Sequence, residues 1–363
     1  MKRAGTNRRV WAGAGLYNQV LMMETIPTDS LSWLLEHACP SIRYRIRAEI
    51  LGQSASEEAM RALQAQILQD PAVRTVFSWQ QPDGWLAQDF HGTHGLEAGL
   101  RILSEKGVDP GYPAMARALE ALENHPERLE RGIGKVGKIL DDMGFGGSLM
   151  IRAAVFAHAG LENKPGVQAQ IEQALAGFQA VLGVHSLDDV VEGYRRKLVF
   201  RPGVQWPGIY HLRLLAYTHS WRTAQNRKML ADAVQRLIEL SPIPDISVRH
   251  GSQLISPASF CMHTFNPAME SMDAAAWMMA FHRMECLARL GVMAALPALR
   301  GQLDVLQGSL DAQGYFAMKL SHPYFTKWGC YQGLMLETDW RTPARRRSDL
   351  TFRSWLILHY AER

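Results

Sequence analysis

The sequence predicts an all-α fold built from helical hairpins, and three observations carry that prediction. First, a glycine-containing aromatic turn recurs ahead of apolar helical stretches. It reads Gln80-Gln81-Pro82-Asp83-Gly84-Trp85, then Asp142-Met143-Gly144-Phe145-Gly146-Gly147-Ser148, then Gln205-Trp206-Pro207-Gly208-Ile209-Tyr210, then Leu310-Asp311-Ala312-Gln313-Gly314-Tyr315-Phe316. The first three copies start roughly 60 residues apart and the last lies about twice a slightly shorter step further on, a spacing that suits stacked helical hairpins. Second, apolar residues recur at helical spacing and the stripes stop at glycine. Third, few stretches alternate polar with apolar residues, so no strand is expected.

The elements follow in order. Thr28-Asp29-Ser30 offers caps ahead of Leu31-Ser32-Trp33-Leu34-Leu35. Pro40 suits the first turn of a helix over Ser41 to Leu51, closed by Gly52, with Ile42, Ile46 and Ile50 on one face and Arg43 and Arg47 on another. Ser56 to Gln69 and Pro71 to Trp79 come next. Leu96, Leu100 and Leu103 make a stripe that ends at Gly107. Tyr112 to Glu123 and Leu129 to Asp142 read as polar-faced helices, whereas Ser148 to His158 is nearly all apolar and reads as buried. Ile171, Leu175, Phe178 and Leu182 stop at Gly183, and Leu230, Val234, Leu237 and Ile238 stop at Ser241-Pro242. Asp273 to Arg289, Ala294 to Leu310, Trp328 to Glu337 and Leu350 to Ala361 complete the set. Alternation of more polar with more apolar helices suggests an outer and an inner layer. Val199 to Trp206 and Ser241 to Pro267 read as irregular, and long irregular segments are usually functional or mobile.

Composition sets the limits. Hydrophobic residues are 47% and charged residues 20%, the balance of a soluble globular chain. The net charge of +4 is too diffuse for nucleic acid, and Arg345-Arg346-Arg347 reads as a solvated loop. Cys39, Cys261, Cys286 and Cys330 stand alone, without a CxxC pair, which fits a reducing, cytoplasmic compartment. No apolar run approaches the roughly 20 residues of a membrane span. The basic start is followed by an apolar stretch broken at Gly13 and Gly15 and by no convincing cleavage site, so export is not expected. Residues 1–27 are expected to be a mobile tail, with Met22 or Met23 as a natural start, and 28–363 one domain. No cofactor motif is found, and the sequence leaves the oligomeric state open.

The Gly-aromatic turns between helical hairpins resemble the prenyltransferase and squalene-cyclase repeat families. The resemblance is nearest to an uncharacterised bacterial group, through Trp33-Leu34-Leu35-Glu36 with Pro40 to Arg45, Gln80 to Trp85, Trp206 to Trp221, and Leu336-Glu337-Thr338-Asp339-Trp340 with Leu350 to Arg353. It implies an α/α toroid, a double ring of five to six helical hairpins around a central cavity. It covers most of the chain after Thr28. The departures concern chemistry. Ile139-Leu140-Asp141-Asp142 lacks the first acid of the cyclase Asp-x-Asp-Asp motif, and the Asp-x-Cys zinc pair of protein prenyltransferases is absent.

Candidate site residues fall in four groups. Trp206, Tyr210, His211, Arg213, Tyr217 and Trp221 form a dense aromatic and cationic set, with Tyr210, Arg213 and Tyr217 on one helix face. They are expected either to line the cavity and hold an anionic or hydroxylated ligand, or to anchor the ring by packing. His263 and Trp277 flank the Pro-rich segment and the Met-rich helix, and Trp328 and Tyr331 mirror the first turn. Asp141 and Asp142 sit at a helix C-terminus before an apolar turn, where an acid kept neutral would protonate a substrate. Lys138 offers the competing reading of a surface pair. His91 and His94, spaced i, i+3, have no third ligand nearby for a metal and read as a capping or core pair. Three functions stay open: a protein that binds or transforms an isoprenoid-like molecule, a carbohydrate-active toroid enzyme acting on a sugar acid, and an interaction scaffold with a filled centre.

Overall fold

The structure, a computed structural model, describes residues 28–320 and 335–363. The expected tail, Cys330, and the candidates Trp328 and Tyr331 lie outside the described residues. Of the helix expected over Trp328 to Glu337, the last three residues are described, and they are not helical.

Fourteen α-helices occupy the described residues. They are α1 Thr28–His37, α2 Pro40–Arg45 running on as a π-helical turn Ile46–Ile50, α3 Glu58–Ile67, α4 Pro71–Ser78, α5 Leu96–Lys106, α6 Pro113–Asn124 and α7 Lys135–Asp142. Then come α8 Ser148–His158, α9 Val167–Val181, α10 Ile209–Ala216, α11 Ala224–Leu240, α12 Ala274–Arg289, α13 Pro297–Gly308 and α14 Pro343–Ala361.

Local chemistry sets the helix ends. Asp70 caps α4 by accepting from Ala72 N at 2.8 Å, with Pro71 in the first turn. Thr223, Asp273 and Thr342 cap α11, α12 and α14 in the same manner. Gly107 closes α5 in the left-handed conformation.

Burial divides the helices into two kinds. In α5, α8, α10 and α12, and in α14 from Ser348 onward, most positions are buried, while α3, α4, α6, α9 and α11 bury one stripe. The buried helices touch in succession: α5 against α8, α8 against α10, α10 against α12, α12 against α14, and α14 against α2 and its π turn. Arg45 of α2 reaches Glu105 of α5 at 3.3 Å, linking the two ends of that series.

The described residues are mostly helical, as expected, but not wholly so. Four short strands make one mixed sheet in the order β1-β2-β3-β4: Val191–Tyr194, Lys197–Phe200, Ile246–His250 and Gln253–Ile255. The outer pairs are antiparallel hairpins and β2–β3 is parallel. The strands are three to five residues long, too short to display an alternation. The turn of the first hairpin is Arg195-Arg196, both left-handed, without the glycine or asparagine that usually marks such a turn. The segments expected to be irregular, 199–206 and 241–267, are thus partly strand.

The first and last aromatic turns share one geometry. Gln81 N donates to Trp85 O at 2.8 Å and Asp311 N to Tyr315 O at 2.8 Å. Gly84 and Gly314 take positive φ in the two copies, and a Cβ at Gly84 would meet Arg117 O at 2.7 Å. Trp85 is fully buried, and Phe316 packs on Trp277 and Phe281.

Candidate functional site

A cavity of about 780 Å³ lies between α7, α8, α10, α12 and the chain from 256 to 267 that follows β4. Its volume falls in the range of roughly 300–1,000 Å³ common to small-molecule sites. Most of the wall is apolar: Ile133, Val136, Leu140, Ile151, Phe260, Met272 and Met279 among others. The sequence builds this wall from three sources. The apolar face of α7 supplies one side, the Met- and Ala-rich stretch of α12 another, and the Pro-rich loop the third.

The loop is fixed to its surroundings. His263 Nδ1 donates to Ile243 O at 2.9 Å, while its Nε2 faces Ser259 Oγ at 3.2 Å and Asp245 Oδ1 at 3.4 Å. Gln302 of α13 donates to Phe265 O at 2.6 Å. Ile209 N donates to Ala258 O at 3.0 Å, and a Cβ on Gly208 would come within 2.7 Å of that same oxygen. The absence of a side chain at Gly208 therefore lets the loop sit against the start of α10. Cys261, on the cavity wall, adopts a left-handed φ of 66°, a conformation that costs free energy unless neighbours impose it. Its Sγ lies 3.4 Å from Met279 Sδ, and burial pushes the thiol pKa up to about 11.

One cation breaks the apolar wall. Arg283 of α12 lines the cavity and is 4% exposed. Its Nε and Nη2 have no hydrogen-bond partner among the described residues. Burial pushes its pKa down to about 10, with Cys261 acting the other way. The Phe265 ring centroid lies 5.9 Å from the guanidinium carbon.

At the cavity's edge, Glu97 of α5 is buried and accepts from two wall residues. Tyr210 OH donates to Oε1 at 2.6 Å and His91 Nδ1 lies 2.5 Å from Oε2. Tyr210 and Ile151 also line a second recess of about 30 Å³, bounded by Glu97, Arg101, Glu105, His158, Arg213, Tyr217 and His282. That space has room for about one water and is too small for an organic ligand. Behind it lies a network of buried ions. Arg45 pairs with Glu49 at 2.5 Å, Glu105 at 3.3 Å and Glu285 at 3.6 Å, and Arg289 pairs with Glu49 at 2.6 Å and Glu285 at 2.9 Å.

The candidates from sequence scatter across these places. Tyr210 lines both spaces. Arg213 lines the smaller recess, donating from Nε to His282 Nε2 at 3.0 Å and lying over the rings of Tyr210 and Phe260. Tyr217 also lines the recess and donates to Glu285 at 3.2 Å. His211 is fully buried, accepts from Gly208 N at 3.0 Å, and is pushed down to about 4 by burial. Trp206 packs on Phe200 beside the loop, and Trp277 packs on Phe281 and Phe316; neither borders the large cavity. His263 borders it as the pin of the loop.

Neither Asp141 nor Asp142 borders it. Asp141 accepts from Gly147 N at 2.7 Å and Leu149 N at 2.8 Å, holding the start of α8. Burial raises its pKa, and those backbone donors oppose the rise. Asp142 pairs with Lys138 at 2.8 Å on the exposed surface, in line with the surface-pair reading. His94 is exposed and stacks edge-on against Trp79, apart from the His91–Glu97 contact. No group of three metal-ligating side chains occurs among the described residues.

Sequence reasoning missed Glu97 and Arg283. Glu97 was visible as an acid at the start of an apolar stripe, a place usually solvated. Arg283 sits in Met- and Ala-rich surroundings, and the available signal was a cation in the middle of that stretch. Among the described residues, no helix is long and apolar enough to cross a membrane. No family model, curated protein or solved structure matches the chain.

Proposed function

We propose that this protein binds an apolar, isoprenoid-like small molecule in the cavity between α7, α8, α10, α12 and the 256–267 loop. The single observation behind this reading is a cavity of about 780 Å³ with a predominantly apolar wall. Burying hydrocarbon there releases roughly 25 cal/mol for each Å² removed from water. The other readings have less to stand on. A sugar acid needs many polar partners, and the polar recess of about 30 Å³ is too small for one. A filled scaffold would leave no cavity of this size.

In the same reading the helices form a double ring. The buried helices α5, α8, α10, α12 and α14, together with α2, would be its inner members, and the one-sided helices its outer members. Support comes from the succession of contacts among the buried helices. The reading is one of binding. Asp141 and Asp142 stand outside the cavity wall and take no part in it.

Farnesol is a suitable probe, measured by calorimetry or native mass spectrometry. The expected result is saturable binding with a stoichiometry of one. Met279→Trp, which places a bulky ring on the cavity wall, should abolish that binding while leaving the helical circular dichroism intact. Failure of farnesol and of its acid and phosphate derivatives alike to bind, or equal binding by the Met279→Trp variant, would reject the reading.

A further inference from the structure

We infer that the cavity's ligand carries an anionic head group, a carboxylate or phosphate, which pairs with Arg283. This inference rests on the cavity being a ligand site and adds the chemical class of what enters it. Three observations lead to it.

The first is the state of Arg283 itself. A guanidinium 4% exposed on an apolar wall, with Nε and Nη2 unsatisfied among the described residues, has lost its water and gained no acceptor. Buried polar groups are almost always hydrogen-bonded, and buried charges are paired. Arg45 and Arg289 in the same interior keep that rule by sharing Glu49 and Glu285.

The second is that nothing at hand neutralises it. With a pKa of about 10, Arg283 keeps its proton at neutral pH. Cys261, raised to about 11, also keeps its proton and supplies no thiolate. The acid bordering the cavity, Asp245, is solvent-exposed and lies against His263. The Phe265 face at 5.9 Å softens the burial of the cation without accepting its hydrogen bonds.

The third is the shape of the wall around it. Cys261, in its left-handed conformation, and Met279 are both on the lining, and their sulfur atoms are in contact. Strained backbone held by its neighbours clusters at ligand clamps. A planar carboxylate matches the guanidinium fork, and a phosphate also presents paired oxygens to it. An apolar tail would then lie along Ile133, Leu140, Met272 and Met279.

The test compares three molecules with one hydrocarbon body: farnesol, farnesoic acid and farnesyl phosphate. On the wild-type protein at neutral pH, one or both anions should bind about tenfold to a hundredfold more tightly than the alcohol, the range expected for hydrogen bonds to a charged group. The stronger of the two identifies carboxylate or phosphate as the head. Arg283→Met should erase that preference, so that neither anion binds more tightly than the alcohol in the variant. Arg283→Lys, which keeps the charge and loses the fork, should retain part of the preference. If farnesol binds and neither anion gains over it, this inference is overturned and the cavity reading stands. If none of the three binds, both fall. The head-group comparison on the unaltered protein decides the question even where a variant fails to fold.

Discussion

Arg283 and Arg289 lie on the same helix, α12, and both are buried, yet they live in opposite electrostatic surroundings. Arg289 donates to Glu285 and Glu49 and lies over the rings of Tyr217 and Tyr360, at 4.5 and 4.1 Å. Burial alone would push its pKa down, but Tyr217, Glu49, Tyr360 and Glu285 hold it well above the ordinary value. Arg283 has burial without an acid and is pushed down. The same side chain on one scaffold thus serves two purposes. Where the protein supplies the counter-charge, the arginine ties helices together. Where it supplies none, the proposed anionic ligand would, and the position faces a cavity able to admit one.

Removing the paired cation should have the largest effect. Arg289→Met leaves Glu49 and Glu285 in the interior with Arg45 as their remaining partner. Breaking a buried pair from one side costs about 3–5 kcal/mol. Urea unfolding should show a loss of that order, and a loss below about 1 kcal/mol would put Arg289 in the same class as Arg283.

Acid is the next way to probe the contrast. Burial lowers His158 to about 3, His211 to about 4 and His359 to about 4, and holds His282 well below its ordinary value. Each binds a proton in the unfolded chain from about pH 6.5 downward while staying neutral in the folded one. The unfolded state therefore binds more protons, and stability falls as pH drops from about 6.5 towards 4. Glu337, raised to about 7 by burial and by Asp349, acts the other way in this window, and Asp349, Asp141 and Glu362, also raised by burial, act with it. Below it Glu49 adds its share. Burial would raise that carboxyl, but Arg45 and Arg289 hold it well under the ordinary range, so its contribution is lost only in stronger acid. Unfolding midpoints measured between pH 7 and 4 should fall steadily; a flat profile would mean the histidines are not neutral inside.

How much of this was legible in the sequence depends on how far apart the interacting groups lie. The helices were legible because their signals are local. Asp70 before Pro71, Thr223, and Gly107 after its stripe each act within a turn of helix. The sheet was not legible. Its first hairpin turns on Arg195-Arg196 without a glycine, and its parallel pairing joins Leu198 to Ile246 across two intervening helices. The site was legible in part. Tyr210 and Arg213 stood out as a dense aromatic and cationic cluster, and they do border internal space. Arg283 did not stand out because its character is relational. An arginine in a helix is ordinary until the absence of acids around it is known, and that depends on α2, α5 and α14 sending their carboxylates elsewhere.

Asp141 tests an intermediate case, a part-buried charge whose partners are backbone donors instead of an ion. It accepts from Gly147 N and Leu149 N at the start of α8. Asp141→Ala should cost about 1 kcal/mol, the usual worth of a helix cap. Helix loss detected by hydrogen exchange should be confined to the first turn of α8. A loss of several kcal/mol would instead place Asp141 with the ion network.

The smallest stability change should come from the residue with the most functional weight. Arg283→Met in the ligand-free protein exchanges two opposing quantities. An unsatisfied buried polar group costs roughly 1–3 kcal/mol, and a charged one lies at the upper end, so removing the guanidinium recovers that much. Against it stands the packing of the arginine stem along the apolar wall and its contact with Phe265, part of which a methionine keeps. The two nearly offset, leaving a net change of a few tenths of a kcal/mol, roughly zero or slightly in the variant's favour. Thermal unfolding without ligand should therefore show a melting temperature equal to or slightly above wild type. Adding farnesoic acid should raise the wild-type value by mass action and move the variant less. A variant destabilised by several kcal/mol without ligand would show that Arg283 has a structural partner after all, and would move it across to the side of Arg289.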